Sequence, residues 1–151
     1  MIAVRRLGPG DLAGYRTMNA VFSEVFEEPE NYADRPPGDS HARAWLANAN
    51  NIAILAEAGG KTVGALAGYV LPKFEQERSE LFIYDLAVRE SHRRRGAATA
   101  MIEETRKIAR NVGAWTVFVQ ADTTPEDEPA QALYRKLASS EITALHFDIA
   151  P

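Results

Sequence analysis

At 151 residues, with a net charge of −4 and no cysteine, the chain is long enough to bury about two-thirds of its unfolded surface in one core, and it holds no disulfide framework, thiolate nucleophile or cysteine metal site. The acidic balance argues against a general nucleic-acid binder, which usually carries a basic face, and no stretch approaches the roughly 18 apolar residues of a membrane span. Because MIAVRRLGPGDL at the start lacks a leader's apolar segment, a soluble, cytoplasmic, single-domain protein (residues 1–151) is expected, with no nucleic-acid or membrane partner.

Ile2 to Leu7 reads as a strand. Gly8-Pro9-Gly10-Asp11 is a turn whose aspartate can cap a helix, and Leu12, Tyr15, Met18, Val21, Phe22 and Val25 recur on one helical face. EEPENYADRPPGDS is acidic and proline-rich and reads as a loop, after which Asp39 or Ser40 caps a short helix through Trp45 and Leu46. Ile52 to Glu57 and Thr62 to Leu71 flank the turn Ala58-Gly59-Gly60-Lys61 as a hairpin that Pro72 closes. The charged run KFEQERSE leads to a strand from Leu81 to Val88, and a helix from about Gly96 to Val112 stops at Gly113. Trp115 to Ala121 reads as a strand, Pro129 to Leu137 as a helix with proline at its first position, and Ile142 to Ile149 as a last strand. This order predicts a mixed α/β sheet.

Chemistry concentrates after Val88. A strand that runs through a short polar turn into Arg93-Arg94-Arg95-Gly96-Ala97-Ala98-Thr99 offers unpaired backbone N–H groups, the positive end of a helix dipole and guanidinium groups, which together make an anion site. Small side chains at Gly96, Ala97 and Ala98 let a phosphate reach the backbone. Neither GxxxxGK[ST] nor GxGxxG occurs, so a diphosphate other than ATP or NAD is favoured. The competing reading is a solvated basic turn in front of an ordinary helix.

The run LAVRESHRRRGAATAMI (Leu86 to Ile102) resembles motif A of the GCN5-related N-acetyltransferases, with Arg93, Gly96 and Ala98 on the (Gln/Arg)-x-x-Gly-x-(Gly/Ala) signature. VGALAGYVLPKFEQERSELFIYDLAV, VFVQAD, ALYRKL and LHFDI are together similar to the type I aminoglycoside 3-N-acetyltransferases. The resemblance implies a central mixed sheet of six to seven strands flanked by about four helices, with two splayed parallel strands, here Leu81 to Val88 and Trp115 to Ala121. It also implies acetyl-coenzyme A as cosubstrate, its pantetheine amides paired with the backbone of Leu86, Ala87 and Val88 and its pyrophosphate on the turn from Arg93 to Thr99. A backbone N–H near a bulge, at Leu86 or Ala87, would polarise the thioester carbonyl. Tyr134 matches the tyrosine that protonates the departing thiolate. The chain departs from the family at Ala138, where glycine commonly follows KL.

The acceptor side must recognise a cation and take a proton from it. Asp85 and Asp122 stand in, or at the end of, predicted strands where aspartate is disfavoured. Each is a candidate amine anchor, and the base role stays open between them; a turn cap for Asp122 and a structural hydrogen bond for Asp85 are the alternatives. With them the resemblance groups Tyr84, Glu27, Glu28, Glu126 and Glu128 along a cleft for an aminoglycoside's 3-amino group, gentamicin-like compounds being the expected substrates. Another polyamine, a protein N-terminus, and a non-catalytic coenzyme A-binding regulatory domain are the competing functions. His92 adjoins the arginines, and no zinc-ligand spacing links His41, His92 and His146, so no metal is expected. A homodimer, common in the superfamily, could be built on the apolar last strand.

Overall fold

The structure is a computed structural model that describes residues 1–151. It divides into two compact units, Met1–Phe118 and Val119–Pro151.

In the first unit the elements run β1 (Ala3–Arg6), α1 (Leu12–Phe26), α2 (Pro29–Tyr32), α3 (Asp39–Ala47), β2 (Asn51–Ala58), β3 (Lys61–Pro72), β4 (Ser79–Val88), α4 (Ala97–Asn111) and β5 (Ala114–Val119), the last reaching one residue beyond the boundary. The strands form one sheet in the order β1-β2-β3-β4-β5, and the first four pair antiparallel. The β2–β3 hairpin turns on Gly59 and Gly60, at φ 56° and 75°, the left-handed pair a two-residue turn needs to match strand twist. Helix α4 joins the neighbours β4 and β5 by a crossover, the connection a parallel pair requires.

Both faces of the sheet are covered, which is why β3 reads as a nearly continuous apolar run of small residues. On one face Tyr15, Met18 and Phe22 of α1 and Leu46 of α3 pack over Ala53, Leu55, Ala65 and Ala87. Full burial of Phe22 alone is worth about 1.5–3 kcal/mol. On the other face α4 buries Ala97, Met101, Ile102, Thr105 and Ile108 at helical spacing. Gly64 makes room for it, since a Cβ there would stand 3.0 Å from Met101 Cε.

The second unit holds a 3-10 turn at Pro125–Asp127 and α5 (Glu128–Leu137). Helix α5 ends on Ala138 in extended backbone, φ −75° and ψ 147°, so the missing glycine costs a left-handed cap and nothing else.

Several expectations need correction. The sheet has five strands instead of six or seven, and the chain has five α-helices instead of about four. EEPENY carries α2, started by Pro29, whose missing N–H suits a first turn. Asp11 precedes α1 but does not cap it through its side chain; its Oδ2 accepts the Gly8 N–H at 2.7 Å and so closes the turn before the helix. Helix α3 starts at Asp39 itself, after Gly38. The last strand is absent: residues 138–151 form neither helix nor strand and are exposed throughout, because an alternating segment becomes a strand only against a partner.

Candidate active site

Strand β4 carries a bulge that sets the direction of two side chains. Ala67 pairs with Asp85 and Gly68 with Ile83, leaving Tyr84 as the extra residue. A Cβ on Gly68 would lie 2.7 Å from the Phe82 carbonyl oxygen, so glycine permits the close approach the bulge demands. The bulge therefore lies at Tyr84, upstream of Leu86 and Ala87, whose residues stay in register with Leu66 and Ala65 of β3.

Tyr84 is 62% exposed and its ring stands edge-on to Tyr69 and Phe82, at centroid distances of 5.8 and 5.6 Å. Tyr69 in turn meets Trp45 at 6.1 Å, and Phe82 stacks on Phe118 at 4.5 Å. Asp85 is half-buried, and its Oδ2 accepts a hydrogen bond from the Tyr32 hydroxyl at 2.8 Å. Tyr32 is held in place by Phe22 and Phe26, its ring 5.6 and 5.9 Å from theirs. Burial pushes the Asp85 carboxyl up from the usual carboxylate range; the Tyr32 hydrogen bond pulls it partly back and the Glu28 charge pushes it further up. Burial, then the Asp85 hydrogen bond and charge, raise the Tyr32 phenol above its ordinary value, so it remains a donor at any physiological pH. A raised carboxylate beside a fixed phenol can anchor a cation and accept its proton.

Tyr32 carries little signal in the sequence, since it lies in an acidic, proline-rich segment 53 residues from Asp85. Its only local signal is proline at the start of PENY, which marks the helix that carries it. Of the predicted loop acids, Glu28 acts on Asp85 electrostatically. Glu27 instead caps α1 in left-handed backbone, φ 55°, and lines a concavity with Glu24, Val25, Glu90 and Arg93.

Beyond β4, a 3-10 turn at Glu90–His92 leads into α4. Gly96 is the N-cap at φ 86°, with no side-chain cap, and Arg94 is also left-handed at φ 60°. Alternating handedness of this kind turns successive N–H groups toward one side, and the first N–H groups of a 15-residue helix have no partner inside it. Arg93, Arg94 and Arg95 are exposed. Arg93 Nε donates to the Val88 carbonyl at 3.3 Å. Small residues follow: Ala97 is buried against the core, Ala98 and Thr99 half-buried. This donor set fits a diphosphate, with Gly96 leaving open space where a Cβ would stand. Leu86 and Val88 are half-buried and Ala87 buried.

Within the second unit, Asp122 lies beyond the end of β5, exposed, and not in a strand. Its N–H donates to Asp127 Oδ2 at 2.8 Å and its carbonyl accepts from Gln131 Nε2 at 2.6 Å, so Asp127 takes the turn-closing task and the Asp122 carboxylate is left facing solvent. Glu126 and Glu128 are exposed. Tyr134 is half-buried on α5, its phenol pushed up to about 12 by burial and then by the Asp127 charge. No group of three or more His, Asp or Glu side chains is arranged to hold a metal ion, and no helix is long and apolar enough to cross a membrane.

Comparison with known proteins extends this picture. The chain is 48% identical to an aminoglycoside acetyltransferase from an uncultured soil metagenomic sample, with a TM-score of 0.96 over 100% of this chain and 99% of that one. A second such enzyme from soil, solved in complex with sisomicin, is 29% identical with a TM-score of 0.90, over 99% and 96% of the two chains. The L-2,4-diaminobutyric acid acetyltransferase of Shouchella clausii (strain KSM-K16) is 34% identical over 90 residues, 60% of this chain and 48% of that one. The chain thus spans about half the length of the curated relatives it matches. The acetyltransferase (GNAT) family profile matches residues 17–138, and with the uncapped, arginine-rich turn after β4 this match leads to one conclusion: the chain belongs to the acetyltransferase (GNAT) family.

Proposed function

We propose that the whole chain works as one acetyl-coenzyme A-dependent N-acetyltransferase domain whose acceptor is an aminoglycoside, acetylated on the 3-amino group of its 2-deoxystreptamine ring. The observation that carries this reading is β4 itself. One strand presents Asp85 and Tyr84 at a bulge and then leads into a turn suited to a diphosphate. A cation-accepting surface and an anion-holding turn in one continuous segment suit an enzyme that joins a polyamine to a nucleotide-linked acyl group. The soil relatives named for aminoglycosides, one holding sisomicin, support the acceptor class; the 3-position rests on the resemblance of YVLPKFEQ, IYDLAV and QAD to the type I enzymes.

Acetyl-coenzyme A, when bound, supplies a thioester and the sulfur this cysteine-free chain lacks. Arg93, Arg94 and Arg95 and the N–H groups of Gly96, Ala97, Ala98 and Thr99 would hold the diphosphate, and backbone groups of Leu86, Ala87 and Val88 would orient the acyl arm beside β4. Asp85, kept partly basic by burial, anchors an ammonium and is available to take its proton; Asp122 is the second acidic candidate, and Tyr84 offers its ring to the cation. As the amine nitrogen bonds to the acetyl carbon the C–S bond breaks. The amine loses its protons to carboxylate and water, and Tyr134, which still holds its proton at neutral pH, donates it to the thiolate and is reprotonated from water. Glu28, with Glu27, Glu126 and Glu128, adds negative potential for a multivalent cation.

The curated relatives act on L-2,4-diaminobutyric acid by name, which favours a second reading, a small diamino acid. Such an acceptor brings its own carboxylate toward Asp85 and Glu28, which repel it. The two readings separate in one assay: follow thiol release with acetyl-coenzyme A and sisomicin, gentamicin, 2,4-diaminobutyrate, spermidine or an N-terminal peptide. Turnover with the aminoglycosides at least ~10-fold above the others is expected, with NMR of the product locating the acetyl group on the 3-amino nitrogen. Preference for diaminobutyrate, peptide or spermidine overturns the acceptor assignment; cofactor binding without thiol release from any amine overturns the enzyme.

A further inference from the structure

Five aromatic rings form an unbroken row from α3 across β3 and β4 to β5. Trp45 meets Tyr69 edge-on with centroids 6.1 Å apart, Tyr69 meets Tyr84 at 5.8 Å, Tyr84 meets Phe82 at 5.6 Å, and Phe82 stacks on Phe118. None of the five is fully buried, and Tyr84 is the most exposed of them. The bulge sets this row beside the candidate carboxylate. In an unbroken strand successive side chains point to opposite faces, so the sheet would separate Tyr84 from Asp85. Here Asp85 stands opposite Ala67, and Phe82 stands opposite Tyr69; Ala67 and Tyr69, two residues apart on β3, share a face. That face is the one on which Ala67 joins the helical core, with Trp45 and Tyr32 packed against it. The ring of Tyr84 touches both Tyr69 and Phe82 and lies there too. Core packing alone does not call for this arrangement, because a ring inserted to fill a core would be covered, whereas the residue that the bulge inserts is the one left in water.

Two properties of the surface define what fits it. The rings at Trp45, Tyr69 and Tyr84 stand nearly perpendicular to one another, 84° at both contacts, so each blocks its neighbour from turning and the surface is formed before a ligand arrives. Aromatic faces are apolar and electron-rich, and the row carries a carboxylate at Asp85, with Glu28 close enough to act on it. A complementary ligand has a flat C–H face and ammonium groups at its rim. A linear polyamine has the charges without the face, and a small diamino acid has no ring to lay on the row. We propose that the row is a stacking platform for the amino-sugar rings attached to the acceptor's 2-deoxystreptamine, so that Tyr69 and Tyr84 read the sugars while Asp85 reads the amine. The inference rests on the aminoglycoside reading of the acceptor and adds that recognition is by ring as well as by charge.

The test is steady-state kinetics of the full chain with acetyl-coenzyme A and sisomicin. Tyr69→Leu and Tyr84→Leu each remove a ring and keep an apolar side chain. Each is expected to raise the KM for sisomicin about 3- to 10-fold, the worth of one aromatic contact, and to move kcat much less, because an interaction equal in the bound and reacting states shows in KM alone. The same rise is expected at ~0.05 and ~0.5 M salt, since salt screens charges and leaves stacking intact. Tyr84→Phe, which restores the ring, is expected to restore the KM. Tyr84 stands mostly in water, so its variants read the platform independently of any stability lost at Tyr69. An unmoved KM in both leucine variants, a fall in kcat at unmoved KM, or a KM rise that disappears at high salt overturns the platform and leaves the acceptor assignment standing. Absence of turnover by the parent chain with every aminoglycoside overturns the acceptor assignment and the platform with it.

Discussion

Asp85 is held above the ordinary carboxylate range by burial and by Glu28, so folding disfavours its charge. Between the ordinary value of 3.8 and its raised folded value, the folded chain binds more protons than the unfolded chain, and stability falls as pH rises. Above the folded value the penalty is complete. Asp85→Asn keeps an acceptor for the Tyr32 hydroxyl but carries no charge, so at pH 7 it should melt higher than the parent, an advantage that vanishes below about pH 3.8. Turnover should fall by about 10²-fold or more if the carboxylate serves the amine. A lower melting temperature together with retained turnover would mean that Asp85 is structural. Tyr32→Phe acts in the opposite sense on the same group. It removes the only influence lowering the Asp85 pKa, at a stability cost of about 1 kcal/mol, and the acid limb of the kcat/KM profile should move to higher pH. An unmoved limb would separate Asp85 from the rate.

At the scale of elements, the junction of β4 with α4 bears strain that its proposed ligand explains. Arg94 occupies left-handed backbone at φ 60°, where a side chain with a Cβ is disfavoured by about 1 kcal/mol. Arg94→Gly should therefore stabilise the chain by about that amount while raising the KM for acetyl-coenzyme A about 10-fold through loss of one charge-assisted contact. Greater stability with unchanged KM would remove Arg94 from the phosphate site. Gly68 tests the bulge. Its added Cβ at 2.7 Å from a backbone oxygen leaves β4 to move, so Gly68→Ala should cost about 1–3 kcal/mol and lower turnover of the remaining folded enzyme; full activity per folded molecule would show that the bulge does not aim Asp85. The turn and helix start of the junction were legible in the sequence because they are local, all within Arg93 to Thr99. The bulge was not. It is set by the pairing of Ala67 and Gly68 with β4, and the Tyr32–Asp85 bond by the packing of α2 under Phe22 and Phe26, relations no window of adjacent residues contains.

Over the whole molecule, the same distinction explains why the strands through β5 and the β2–β3 hairpin could be read and the fate of the last segment could not: alternation at Leu145, Phe147 and Ile149 states a need for a partner without naming it. Charge is a property of this scale as well. The net −4 matters less than its placement, with Glu24, Glu27, Glu28 and Glu30 all within the end of α1 and the start of α2, beside the strand that carries Asp85. If a multivalent cation is the acceptor, this potential speeds its capture, and salt should weaken it: the Debye length falls from about 8 Å at physiological ionic strength to about 3 Å at 1 M. We therefore expect kcat/KM for an aminoglycoside to drop about 10-fold or more between ~0.05 and ~0.5 M salt, whereas kcat at saturation changes little, because steering affects encounter and leaves the bound complex alone. A monoamine acceptor, which offers the field one charge in place of several, should lose less than about 2-fold under the same conditions. Equal salt dependence for the two acceptors would show that the acids around α2 are solvated surface with no part in recognition, and would place the burden of binding on Asp85 and Tyr84.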